Sequence, residues 1–360
     1  MLSLRNSRVP AEWEVQSGIM MVLPHKDSDW EPVLARAQSC VATICATLTR
    51  FGQHVLLVVP PDETTTACRI LERAGVDLGL IHMYEVATND TWIRDFGPVT
   101  VWSGGGYRLL DFKFTAWGGK FAYDKDNLVT GILHAAGAFA PGIERVVVPL
   151  VLEGGAIESD GNGVILTTAS CQNNPNRNWG LSRREIEFAM DRLGAYRVVW
   201  ILNGYLRGDD TDFHIDVAAR FAPGNKIVYI GCDDPNDEHF EPLARMREEL
   251  SEISSYGADA GRYKLLQLPW PRAKYVGGKR LALSYANYLI SNAGRGCKVV
   301  LVPQYEDPAD AVALAVVKKA YPEFVVVGID CRVLVEQGGS LHCMTMQLPM
   351  GVLNVGKKSR

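Results

Sequence analysis

The chain has no Cys-x-x-Cys pair among its eight cysteines. The spacing of a structural zinc site is therefore missing, and no metal is expected. No run of roughly 18 apolar residues occurs, the length a membrane helix needs. The opening residues, Met1-Leu2-Ser3-Leu4-Arg5-Asn6-Ser7-Arg8-Val9-Pro10, hold no apolar stretch of the secretory type. A cytoplasmic protein without a membrane partner is the expectation. There is no basic run and no RNA-binding aromatic motif, and the formal net charge is -4. Nucleic acid is thus excluded as an expected partner. No linker or low-complexity segment divides the 360 residues. One domain spanning residues 1–360 is expected rather than two. A homo-oligomer is left open.

What is present is an ordinary folded composition, 47% hydrophobic and 22% charged. Short apolar runs alternate with helical periodicity, which predicts an α/β fold. Ile19 to Leu23 and His54 to Val59 read as buried strands around a helix from Trp30 to Phe51. Ser182, with Glu185 three residues on, reads as a capping box that starts a helix. Further strands are expected at Glu144 to Val148, Val164 to Thr168, Arg197 to Leu202, Ile227 to Gly231 and Val299 to Pro303.

Most of the thiols read as small buried hydrophobes: Cys40, Cys45, Cys68, Cys297 and Cys331. Cys343 differs. It lies in Gly338-Gly339-Ser340-Leu341-His342-Cys343, where two glycines allow the backbone to come close to a ligand. A strand there would turn His342 away from the thiol, which makes Cys343 the reactive group.

Other segments supply an imidazole and carboxylates. Asp212, His214 and Asp216 are spaced by two and would share one face of a strand. Carboxylates flanking His214 favour its protonated form, which suits a general acid. Glu153 stands between apolar residues and Gly154-Gly155. A carboxylate buried there wants a cationic partner or an imidazole. Trp92-Ile93-Arg94-Asp95-Phe96-Gly97-Pro98 reads as the end of a strand-like segment in a Gly-Pro turn, with Asp95 presented to a site, paired locally with Arg94 or capping the turn. A thiol, an imidazole and carboxylates on separate segments are the parts of a cysteine nucleophile. A metal site built from Asp and His is the competing possibility, without the ligand spacing of a known pattern.

Several motifs then resemble, in order, the agmatine deiminase and Porphyromonas-type peptidyl-arginine deiminase family of the guanidine-modifying superfamily. They are Pro10-Ala11-Glu12-Trp13-Glu14, Asn89 to Pro98, Ala116-Trp117-Gly118-Gly119 and Leu152-Glu153-Gly154-Gly155. Asn174-Pro175-Asn176-Arg177-Asn178, Asp210 to Asp216 and Gly338 to Cys343 complete the set. The resemblance implies a five-bladed α/β propeller of ββαβ units, the pentein fold, with its site in a central channel. It implies that Cys343 is the nucleophile, His214 the acid and base, and Glu153 the acid that orients the histidine. Asp95 and Asp216 would grip a guanidinium, and Trp92 and Trp117 would line the channel for an aliphatic chain. No cofactor is implied. The implied substrate is a small guanidino cation, agmatine first, with a peptidyl-arginine as the alternative. An amidinotransferase and a silent binder of guanidino compounds or polyamines are the competing functions. Two positions depart from the family. Asp212-Phe213 replaces the frequent Asn-Gly, and Ser340 replaces Asn.

Overall fold

The computed structural model describes residues 7–255 and 263–356. Among these, five of the six sheets repeat one connection. An antiparallel pair is followed by a helix, and the next strand returns parallel to the pair's second member. In the first unit the crossover runs through Gln16–Val22, helix Leu34–Arg50 and Val55–Val59. Its antiparallel partner is the late strand Thr345–Pro349. Helix Thr64–Arg73 then adds a fourth strand, Ile81–Glu85.

The second unit pairs Val99–Ser103 with Gly106–Lys113 and crosses through Val129–Ala135 to Glu144–Val151. The third pairs Glu158–Ser159 with Val164–Thr168 and crosses through Arg183–Met190 to Arg197–Ile201. The fourth pairs Ala219–Ala222 with Lys226–Ile230 and crosses through Phe240–Ser255 to Lys264–Leu268. The fifth pairs Leu289–Asn292 with Lys298–Gln304 and crosses through Asp310–Ala320 to Val325–Asp330.

The sequence explains the elements. Val55–Val59 is apolar throughout and wholly buried, as a parallel strand covered on both faces must be. On the helix beside it, Ala37, Val41, Ile44 and Leu48 recur at intervals of three and four and are buried together. Each large aliphatic side chain so buried contributes about 1.5–3 kcal/mol. The capping box at Ser182 and Glu185 is formed. Among the described residues no helix is long and apolar enough to cross a membrane. All eight cysteines are free; Cys40, Cys45 and Cys331 are buried, while Cys68 and Cys297 are only partly so.

Three local expectations fail. Asp212 to Asp216 is not a strand: Asp212 and Phe213 have φ of 63° and 69°, and His214 caps a 3-10 turn, Ile215–Val217. Cys343 is not on a strand either; it sits in a turn, and the strand begins at Thr345. The segment around Asp95 is a short helix, Ile93–Phe96, rather than the end of a strand.

Candidate active site

Each unit presents polar groups from the segment that enters its first strand. Asp95 precedes Val99, Glu153 precedes Glu158, and His214 and Asp216 precede Ala219. Asn287 precedes Leu289, and Cys343 precedes Thr345. A repeated connection thus delivers groups far apart in sequence to one place. They meet at a cavity of about 170 Å³, whose lining includes Cys343, Asp95, Trp92, Trp117, Phe121 and Asp210. His214, Glu153 and Asp216 are fully buried beside it.

Cys343 and His342 converge on one carboxylate oxygen instead of facing apart. The Cys343 Sγ lies 3.7 Å from Asp216 Oδ2, and His342 Nδ1 lies 2.8 Å from the same atom. A turn, unlike a strand, lets neighbouring side chains point the same way. Asn287 Nδ2 donates to Asp216 Oδ2 at 3.2 Å and lies 3.3 Å from the thiol. The Arg220 guanidinium reaches His342 Nε2 at 3.1 Å. The same Nε2 lies 2.8 Å from Glu12 Oε1. Nδ1 faces the Asp216 carboxylate, which only accepts, so Nδ1 carries the proton given to Asp216. Burial pushes the His342 pKa down, as do Arg220 and Arg94, which agrees with a neutral ring. Asp216 Oδ1 is buried and has no partner. It is a carboxylate oxygen left open for a cation.

Asp95 is held from two sides. Gly155 N–H donates to Oδ1 at 3.0 Å, and the Trp117 indole donates to Oδ2 at 2.9 Å. It does not pair with Arg94, whose guanidinium bonds Glu12 at 3.0 Å. Trp117 reaches Asp95 from a left-handed backbone, with φ of 45° at Ala116 and 56° at Trp117. Left-handed backbone at such residues is strained, and strain of this kind collects at functional sites. Gly155 is obligatory: a Cβ there would lie 2.7 Å from His214 Nδ1 and 2.8 Å from Asp95 Oδ1.

Glu153 has both partners that its burial demands. Arg177 Nε donates to its two oxygens at 2.9 Å each, and His214 Nε2 stands 3.8 Å from Oε2. Removing one member of such a buried pair costs on the order of 3–5 kcal/mol. Arg177 also bonds Asp212 at 2.7 Å, which Lys120 and Asn174 hold at 3.0 Å each. These contacts, with Phe213 N–H donating to Asp209 at 2.7 Å, offset the strain of the left-handed Asp212-Phe213 pair. Ser340 bonds Tyr305 at 3.2 Å and is not part of the cavity lining.

His214 has no hydrogen-bond partner at either ring nitrogen. Its Nδ1 stands 3.5 Å from Asp95 Oδ1. Burial pushes its pKa down, but the groups around it, Asp95 first, more than offset this and hold it well above the usual value. Burial, with Asp216 and Asp95 beside it, pushes the Cys343 thiol well up. The empty pocket therefore holds a thiol and an imidazolium. Donor atoms of Glu153, Cys171 and His214 lie within 4.8 Å of one another, a grouping that could hold a metal. Arg177, however, already neutralises both Glu153 oxygens. A larger cleft of about 730 Å³ elsewhere has the wrong sign for a cation, with Arg36, Lys274 and Arg332 against Asp330 and Glu336.

Asn287 and Cys171 escaped sequence reasoning, because no local pattern surrounds either. Arg177 was visible only as part of the Asn-Pro-Asn-Arg-Asn motif. Trp92 and Trp117 belong to both the core cluster and the cavity lining.

Fold and site together define an α/β enzyme with a cysteine-centred, acid-lined pocket. The chain belongs to the Porphyromonas-type peptidyl-arginine deiminase family, whose model matches residues 8–349. It is similar to a cysteine-to-serine variant of the C. jejuni agmatine deiminase solved with substrate bound, at 35% identity and a TM-score of 0.86. That match covers 95% of this chain and 96% of the other. A Porphyromonas gingivalis structure provisionally named an arginine deiminase is 40% identical, with a TM-score of 0.87, over 97% of this chain and all of the other. A Vibrio parahaemolyticus protein provisionally named an agmatine deiminase is 31% identical over 94% of this chain and 96% of the other.

Proposed function

We propose that this protein hydrolyses the guanidino group of agmatine to N-carbamoylputrescine and ammonia through a covalent thiouronium on Cys343. The observation that carries this is the Cys343 thiol between two buried carboxylates, one of which, Asp216, keeps an oxygen free. A guanidinium is planar and offers only donors, so paired carboxylates fix its plane and turn its carbon to the sulfur. The bound cation favours the thiolate, which attacks. His214 protonates the departing nitrogen and ammonia leaves. His214 then takes a proton from water, which releases the ureido product. Glu153 orients His214, and Asp95 and Asp216 hold the cation. Trp92 and Trp117 flank its aliphatic chain.

The acidic lining favours a substrate with a second positive charge over one with a carboxylate. Asp29, Asp90, Asp210 and Glu336 line the cavity, against Lys279 alone among its basic groups. The family name and the P. gingivalis neighbour make arginine and a blocked arginine peptide the comparison substrates. Ureido product and ammonia are expected from agmatine at the highest kcat/KM, with no acceptor amine added. Faster turnover of the peptide would overturn the substrate assignment. A requirement for an amine acceptor would make the protein an amidinotransferase.

Burial pushes the Asp95 carboxyl up to about 6; His214 pulls it down, and Asp216 and Glu153 push it up. A protonated acid cannot pair with a guanidinium. The kcat/KM for agmatine is therefore expected to fall as pH drops through about 6. A profile that stays flat down to roughly pH 5 would contradict a clamping role for Asp95.

The five repeated units support a five-bladed propeller around this cavity, in one domain of residues 1–360. A cytoplasmic setting suits eight free cysteines, since a reducing compartment keeps thiols unpaired.

A further inference from the structure

A second thiol lies at the proton-handling end of the site. Cys171 is fully buried on the short helix Ala169–Gln172, and none of the steps above uses it. Its Sγ is within 4.8 Å of a His214 ring nitrogen and of a Glu153 oxygen. Neither nitrogen of the buried His214 has a hydrogen-bond partner. The groups around the imidazole are otherwise charged or acidic. Asp95 comes from the helix Ile93–Phe96 and Glu153 from the loop before Gly154. Asp209 and Asp216 act on it from the His214 segment itself, and Arg177 bears on it through Glu153.

We propose that Cys171 is a positioning residue for His214, the neutral partner that stabilises the imidazolium and holds the ring between Asp95 and Glu153. A thiol suits this place because sulfur is a weak acceptor. Within 4.8 Å of the ring, it gives the imidazolium a polarisable neighbour without adding another buried charge. Burial pushes the Cys171 pKa up, and His214 and Arg177 offset this only in part. Cys171 therefore stays a thiol at neutral pH and does not compete with Cys343 as a nucleophile. The proposal rests on the acid and base role given to His214 above.

The test compares Cys171→Val, which keeps the volume and removes the polar sulfur, with Cys171→Ser, which keeps a donor and acceptor. The first readout is the His214 titration, followed by NMR of the imidazole in full-length protein; it needs no turnover. In Cys171→Val it should move to lower pH by about half a unit or more, as burial weighs more once the polarisable sulfur beside the ring is replaced by an apolar group. In Cys171→Ser it should stay near the parent value. The second readout is kcat for agmatine against pH. Its basic limb should shift down with the same sign in Cys171→Val, and kcat should fall about five- to tenfold. An unmoved His214 titration in a folded Cys171→Val would overturn the proposal. Should the titration move while no guanidino substrate is turned over even by the parent, the proposed function fails and the Cys171–His214 coupling stands.

Discussion

Replacing Cys343 with Ala should abolish turnover of agmatine while the ligand still binds. The loss should be on the order of 10⁴-fold or more, because the covalent route has no second nucleophile to fall back on. Cys171 is next to His214 but is a buried, protonated thiol. The carboxylates that bind the cation are untouched in the variant. Asp216 keeps its bonds to His342 and Asn287, and Asp95 keeps those to Gly155 and Trp117.

The same variant isolates a proton. Burial, Asp216 and Asp95 keep Cys343 protonated in the empty site. A guanidinium entering between those carboxylates offsets their repulsion, so the thiol can give up its proton. Calorimetry with guanidinium ion as the probe, near pH 8 where a carboxyl of pKa about 6 is already ionised, should show proton release by the parent. The Cys343→Ala protein should release none. Ammonia production by Cys343→Ala at the parent rate would remove Cys343 from the mechanism. Equal proton release by both proteins would remove the substrate-driven ionisation.

The reactive groups were legible because their chemistry is unusual where they stand. A carboxylate among apolar residues must find a cation or an imidazole, and Glu153 found Arg177 and His214. The alternation of short strands and helices was legible for the same kind of reason, since buried strands and amphipathic helices have different periods. Other features were not legible. Asn287 is polar, has no signature around it, and touches partners 56 and 71 residues away. The strand expected through Asp212 and His214 ignored a left-handed pair of non-glycine residues, which propensity does not foresee. Its stability comes from Arg177, Lys120 and Asp209, contacts that exist only in the folded protein. The five units repeat in connection but not in length or sequence. Periodicity alone does not reveal them.

Asp216→Asn should show effects of opposite sign on two properties of Cys343. The substitution keeps the shape of the side chain. Its carbonyl oxygen can accept from His342 Nδ1, which already donates to the Asp216 carboxylate in the parent. The amide nitrogen then falls where Oδ1 was, the one oxygen of Asp216 without a partner. Donor hydrogens would face a guanidinium that also has only donors. One charge-assisted pair is lost and a repulsion replaces it, so kcat/KM should fall on the order of 10³-fold. In the empty enzyme the change acts the other way. A negative charge 3.7 Å from the sulfur disappears, and the thiol pKa falls towards its ordinary range. Alkylation of Cys343 by iodoacetamide at neutral pH, without substrate, should therefore be faster in the variant than in the parent. Unchanged or slower alkylation alongside lost turnover would mean that Asp216 only supports the turn carrying Cys343. Faster alkylation with lost turnover separates the two tasks of this carboxylate: it restrains the thiol while the pocket is empty and holds the cation once it is filled.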